Sequence, residues 1–254
     1  MTVHVEIEGP VQIVTIDRPE RRNAVDRATA GELLAAFESF AADDGLRVAV
    51  LTGANGTFCA GADLKAISEG GGNRVELDGP GPMGPTRLDL DKPASAAIEG
   101  FAVAGGIELA LWCDLRVAAS DATLGVYCRR WGVPLVDGGT IRLPRLIGAT
   151  HANDLILTGR GVRGDEALRM GLVNRLSEPG EALADAKVLA RELAELPPIC
   201  MRNDLRSAKD QWSLPIDEAL RRETELGRAT LFSGESLEGA ARFADGAGRG
   251  GAKA

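Results

Sequence analysis

Two glycine-bearing turns and one glutamate carry the chemistry that the residue types allow. The first turn reads Phe58-Cys59-Ala60-Gly61-Ala62-Asp63-Leu64-Lys65, and the second Ala104-Gly105-Gly106-Ile107-Glu108-Leu109-Ala110. Each follows an apolar run. Backbone N–H groups at such turns can point free into a cleft, and two of them converging on one oxygen form an oxyanion hole. Glycines at 105 and 106 allow a ligand to approach the backbone closely, or a helix to pack tightly on a strand. If Gly105 opens a helix, its dipole favours a forming negative charge. Glu108 then lies one turn in, where a carboxylate can move a proton on a carbon beside that oxyanion. The alternative is an ordinary charged residue in a first helical turn.

Other chemistries lose their usual support. The two histidines, His4 and His151, stand outside any HExxH motif, and no GxSxG occurs. The four cysteines, Cys59, Cys113, Cys128 and Cys200, form no CxxC pair, so no metal knuckle or redox pair is indicated and reduced cytoplasmic thiols are the simplest reading. No metal or nucleotide redox cofactor is expected. A net charge of −8 argues against nucleic acid, which needs a broad basic face. The N-terminus has neither a basic start nor an apolar run, and no stretch approaches the roughly 18 apolar residues of a membrane span.

These residues need a scaffold. Val11 to Asp17 and Val48 to Thr52 read as strands, the second apolar enough to be buried on both faces. Between them, Leu33, Leu34, Phe37 and Phe40 fall at helical spacing after Asp26, a cap. Ala94 to Ile98 and Leu115 to Ala119 are further strands flanking the helix opened by Gly105, and this alternation predicts an α/β core with parallel pairing. Glu69 to Thr86 is a long glycine- and proline-rich loop, expected to form part of a pocket wall; its GxGxxG match through Gly79, Gly81 and Gly84 is rejected because prolines interrupt it and no strand precedes it. After Gly148 the chain reads as helices: Ala152 to Thr158, Asp165 to Met170, Glu181 to Leu196, Met201 to Trp212, Ile216 to Phe232 and Glu235 to Phe243. The expected division is an α/β core over 1–195 and a helical region over 196–254, with a Gly/Ala-rich disordered tail from about 246.

Taken together these segments resemble the crotonase (enoyl-CoA hydratase/isomerase) superfamily. The resemblance runs from Ile16-Asp17-Arg18-Pro19-Glu20-Arg21-Arg22-Asn23-Ala24 through both turns to Gly138-Gly139-Thr140-Ile141-Arg142-Leu143-Pro144 and the stretch from Leu157-Thr158-Gly159 to Gly171-Leu172-Val173-Asn174. It implies a stack of β-β-α units with a helical C-terminal region that builds trimers, often paired as hexamers. It implies an acyl-CoA thioester as substrate, with coenzyme A arriving as part of it. The oxyanion donors implied are the amides of Ala62 and Gly105. Ala24, Ala60, Ala62, Asp63, Leu64 and Gly105 are implied along the coenzyme A path, with Arg22 or Lys65 meeting its phosphates.

Hydratases of this family use two glutamates. The first matches Glu108, but Cys128 stands where the second is expected, in Leu124-Gly125-Val126-Tyr127-Cys128. A thiol does not activate water as a carboxylate does. Cys128 is read as inert, or as a thiolate if Arg129 and Arg130 lower its pKa. Asp137, just before Gly138-Gly139-Thr140, matches an aspartate that dienoyl-CoA isomerases of the family use, and pairs with Glu108 as base and acid; helix N-capping is its alternative. The leading expectation is an enzyme of the enoyl-CoA hydratase/isomerase type. The others are a non-catalytic acyl-CoA-binding protein and a different crotonase reaction, such as dienoyl-CoA isomerisation or thioester hydrolysis.

Overall fold

Val3–Glu8 (β1) and Val11–Ile16 (β2) form an antiparallel hairpin at the edge of a six-stranded sheet. From β2 the sheet grows by parallel pairing through Val48–Gly53 (β3), Ala94–Ile98 (β4), Leu115–Ala119 (β6) and Arg175–Ser177 (β9). The computed structural model describes residues 1–248, which cluster as one unit over Met1–Ala194 and a second from Glu195 onward.

A second layer is built by short strands that follow the long ones. Phe101–Val103 (β5) comes directly after β4, Thr123–Gly125 (β7) directly after β6, and the two pair in parallel; Gly161–Arg163 (β8) completes this sheet antiparallel to β7. The repeating unit is a strand in the large sheet, a short strand or bridge in the small one, and then a helix: Arg27–Ala42 (α1) after the hairpin, Gly105–Trp112 (α3) after β5, and Gly139–Thr158 (α4) after β7. Between α1 and α3, β3 leads to the single turn Leu64–Ser68 (α2).

The apolar runs are continuous because the central strands are covered on both faces. Val14, Ile16 and Leu51 pack toward Leu33, Phe37 and Phe40 of α1, whereas Val11, Ile13, Val48 and Val50 face Ala186, Leu189 and Ala190 of helix Ala182–Ala194 (α6). Asp26 caps α1 by accepting from the Thr29 amide at 2.8 Å.

Several elements differ from the sequence reading. The strands β1, β5, β7, β8 and β9 were not anticipated; all but β1 are only three residues long, too short for an alternating pattern to register. The helix expected at Ala152 begins at Gly139, carries Pro144 inside it and kinks at Gly148, whose φ is 77°. The helix after it is Gly164–Arg169 (α5). The second unit holds Pro198–Asp210 (α7), Ile216–Phe232 (α8) and Glu235–Ala244 (α9). Glu235 ties α9 to α7 by accepting from the amides of Ile199 and Cys200 at 2.9 and 2.8 Å. Of the tail expected to be disordered, residues 249–254 lie outside the described residues. Among the described residues no helix is long and apolar enough to cross a membrane.

Asn23 locks the segment that leads into the first turn. Its side chain accepts from the Arg18 amide at 2.8 Å and donates to the carbonyls of Ala54 and Thr57 at 2.9 and 2.6 Å. It adopts a left-handed φ of 56°, which asparagine tolerates better than most residues. Replacing Asn23 by alanine leaves three half-buried backbone groups without this partner, and the expected loss is about 1–3 kcal/mol of unfolding free energy. Urea denaturation of the purified variant checks this; a midpoint equal to that of the parent protein rejects the role.

Candidate functional site

The two turns anticipated from sequence meet. Cys59 makes a parallel bridge to Ala102, with Val103 N donating to Cys59 O at 3.0 Å. Gly61, at φ 99°, lies so close to the second turn that a Cβ there would stand 2.8 Å from Gly105 N. Val25 takes up the groups on either side of Ala62: its N–H donates to Gly61 O at 2.8 Å and its carbonyl accepts from Asp63 N at 3.0 Å. The Ala62 amide between them has no acceptor among the described residues. In the second turn Ala104 N donates to Gly125 O at 3.0 Å, and α3 starts at Gly105, whose amide, first of the helix, also has no intrahelical acceptor. Ala104 itself holds a φ of 56°, a conformation that costs a residue with a side chain on the order of 1–3 kcal/mol. Gly106 serves packing instead, since a Cβ there would come within 2.1 Å of Cys59 O.

Glu108 is not an ordinary surface charge. It is buried, at 2 % exposure, and its Oε1 accepts from the amides of Asp137 and Gly139 at 2.9 and 2.8 Å. Burial is the main cause that lifts its pKa to about 7; the neighbouring Asp137 charge pushes the same way, while the two amides and Arg142 oppose it.

Asp137 is buried too, and burial raises its pKa against the pull of Thr86, Met83, Arg87 and Arg142. Its side chain is not a helix cap, because Gly138 occupies that position without a side-chain bond. Oδ1 accepts instead from Met83 N at 2.9 Å and from the Thr86 hydroxyl. The remaining oxygens, Glu108 Oε2 and Asp137 Oδ2, have no hydrogen-bond partner among the described residues. Neither is sealed off, since among the described residues Ser95 Oγ is the buried side-chain polar atom left without one.

Both carboxylates, Ala62 and Gly105 border one cavity of about 580 Å³. Its walls are largely apolar: Leu64 and Ile67 from α2, Val75 and Met83 from the 69–86 loop, and Trp131 and Val133 from the segment after β7. Arg22 and Ala60 also border it, but Ala24, Asp63 and Lys65 do not. Asp63 has structural duties. It caps α2 by accepting from the amides of Lys65 and Ala66 at 3.0 and 3.2 Å, and it pairs with Arg18 at 3.1 Å. Lys65 is exposed on α2, and Ala24 is buried.

Cys128 lines the cavity from the short 3-10 turn Tyr127–Trp131. The thiolate reading is corrected here, because burial and the Glu108 charge push the thiol pKa up. Arg129 and Arg130 are occupied by the carbonyls of Ile156 and Gly159 at 3.0 Å. Sequence reasoning missed Met83 and Thr86, which share the loop before β4, and Arg142, on the first turn of α4, as neighbours of the carboxylates, since no local pattern marks them.

The enoyl-CoA hydratase/isomerase family profile matches residues 6–247. The chain belongs to this family. An enoyl-CoA hydratase of Mycobacterium tuberculosis is 36% identical over 248 residues, covering 95% of this chain and 92% of that protein. A carnitinyl-CoA dehydratase of Salmonella arizonae is 38% identical over 243 residues and 93% of each chain. The crystal structure of an enoyl-CoA hydratase from Mycobacterium marinum superposes with a TM-score of 0.90 at 38% identity, over 96% of both chains. The expected α/β fold of β-β-α units is therefore the fold of this family, and the protein is an acyl-CoA-converting enzyme of crotonase type.

The position of Glu108 makes stability depend on pH. Its folded pKa of about 7 lies above the ordinary value of 4.5, so between these values the folded state binds more protons than the unfolded chain. Stability is full below the lower value and falls as pH rises through the upper one, by on the order of 3 kcal/mol. Glu108→Gln keeps an oxygen for both amides and removes the titration. The melting temperature of the variant relative to the parent should therefore climb between about pH 5 and pH 8. Parallel melting curves across that range refute the shift.

Proposed function

We propose that this enzyme shifts a proton along an enoyl-CoA chain through an enolate, using Glu108 and Asp137 as a proton-carrying pair. The observation that carries this reading is that two buried carboxylates, each tethered through one oxygen, border the same apolar cavity as two amides without acceptors. The thioester carbonyl accepts from the Ala62 and Gly105 amides. Asp137 starts as the carboxylate and takes a proton from the carbon next to the carbonyl; the C–H electrons move into a carbon–carbon double bond, and the negative charge reaches the oxyanion. Glu108, which holds a proton up to about pH 7, returns one two carbons further on, and the double bond moves beside the carbonyl. No water is consumed.

The remaining parts follow the same reading. Arg22 at the cavity border meets coenzyme A phosphate with Lys65 nearby on α2, and no cofactor is needed beyond the coenzyme A of the substrate. We place the enzyme in the cytoplasm, where its four free thiols stay reduced. We take it to work as a trimer or hexamer, in which exposed apolar residues such as Ile216, Phe232 and Leu237 become covered; sedimentation checks that state.

A second reading, hydration, is favoured by the names of the two relatives, an enoyl-CoA hydratase and a carnitinyl-CoA dehydratase. In it, Asp137 activates a water in place of the missing second glutamate. A panel of 2-enoyl-, 3-enoyl- and dienoyl-CoA esters, followed by mass spectrometry, separates the two: a proton shift conserves mass and hydration adds one water. Glu108→Gln and Asp137→Asn are each expected to lower kcat by roughly 10²-fold or more, and Cys128→Ser by no more than about 3-fold. Binding without conversion of any ester would show a non-catalytic acyl-CoA-binding protein, and a Cys128→Ser loss matching Asp137→Asn would return the second catalytic role to position 128.

A further inference from the structure

We propose that Thr86 is a positioning residue for Asp137, holding Oδ1 so that Oδ2 is the oxygen presented to the cavity. This rests on the proton-carrying role given to Asp137 above.

Thr86 lies in a short 3-10 turn, Pro85–Arg87, at the end of the long loop. It is completely buried, a setting in which valine would pack equally well and a hydroxyl is costly unless bonded. Among the described residues its hydroxyl has one partner, Asp137 Oδ1, which is 51 residues away in sequence. Met83 N, three residues earlier in the same loop, is the second donor to that oxygen, at 2.9 Å.

The loop is held in turn by Arg142, on the first turn of α4. One guanidinium nitrogen donates to the Thr86 carbonyl at 2.6 Å and the other to the Asp137 carbonyl at 2.7 Å. The two residues therefore share one rigid fork, and the hydroxyl is delivered to a carboxylate that the same fork fixes. Met83 extends the link to the oxyanion turn, because its sulfur sits where a side chain on Gly105 would point, 2.8 Å from that virtual Cβ.

The charged groups that act on Asp137 are Arg87 from the 3-10 turn, Arg142 from α4 and Glu108 from α3. Removing the hydroxyl leaves all three in place and deletes one bond that favours the ionised carboxylate, so the Asp137 pKa rises. Asp137 acts as the starting base, so activity at low pH falls away earlier. The acid limb of the pH–kcat profile moves to higher pH.

Thr86→Val, Thr86→Ser, Asp137→Asn and the Thr86→Val/Asp137→Asn double variant test this by steady-state kinetics across pH with the best ester of the panel. Thr86→Val should lower kcat roughly 10-fold with KM changed less than about 3-fold, and move the acid limb up by roughly one pH unit. Thr86→Ser should restore both, and in the Asp137→Asn background the valine should add nothing. If Thr86→Val does not fold, Thr86→Ala carries the same readouts. An unmoved acid limb in the valine or alanine variant, or an equal loss in the Asp137→Asn background, overturns the inference while leaving Asp137 its role. Full activity of Asp137→Asn overturns the role of Asp137 itself.

Discussion

The amide of Asp137 donates to one oxygen of Glu108 and so places two buried carboxyl groups side by side at an apolar wall. In such a setting both cannot easily be ionised. Burial raises both pKa values, and the protein limits the cost by giving each group two hydrogen bonds through a single oxygen. The second oxygen of each is left to the cavity. Most of the architecture around the site serves this arrangement. The N-terminus of α3 brings Glu108 in, the turn before α4 brings Asp137 and the Gly139 amide, and Arg142 ties that turn to the 81–87 segment.

The same economy governs the other half of the site. An amide without an acceptor is costly in a protein interior, and a cavity relieves the cost. The Ala62 and Gly105 amides border the cavity because the chain beside them is already committed: Gly61 and Asp63 bond to Val25, and Ala104, ahead of Gly105, bonds to Gly125. Gly61 allows the two turns to approach, and the strained Ala104 marks the point where the backbone reverses into the helix. Strain at such a site is tolerated when its surroundings hold it in place.

Local pattern served well where physical signals are local. Asp26 ahead of Leu33, Phe37 and Phe40 defined α1, and the apolar runs at 48–52 and 94–98 defined strands covered on both faces. The glycine turns and Glu108 stood out for the same reason, since turn glycines and a carboxylate inside an apolar helix are local anomalies. The three-residue strands of the second sheet were invisible, because they exist through pairing with each other. The family resemblance implied Asp63 and Lys65 along the ligand path; the side-chain bonds that cap α2 and pair Asp63 with Arg18 could not be read from it.

The sequence by itself determined the family, the two turns and the identity of the acid on α3, because motif order and turn chemistry are written along the chain. Only the tertiary structure decided what those groups can do. Whether Glu108 titrates at its ordinary value or near 7 depends on how much water is excluded around it and which amides reach it. Whether Asp137 caps a helix or faces a substrate depends on a loop 51 residues earlier that supplies its donors. Charge in a folded protein is set by neighbours in space, and those neighbours come from parts of the chain that carry no mark of one another.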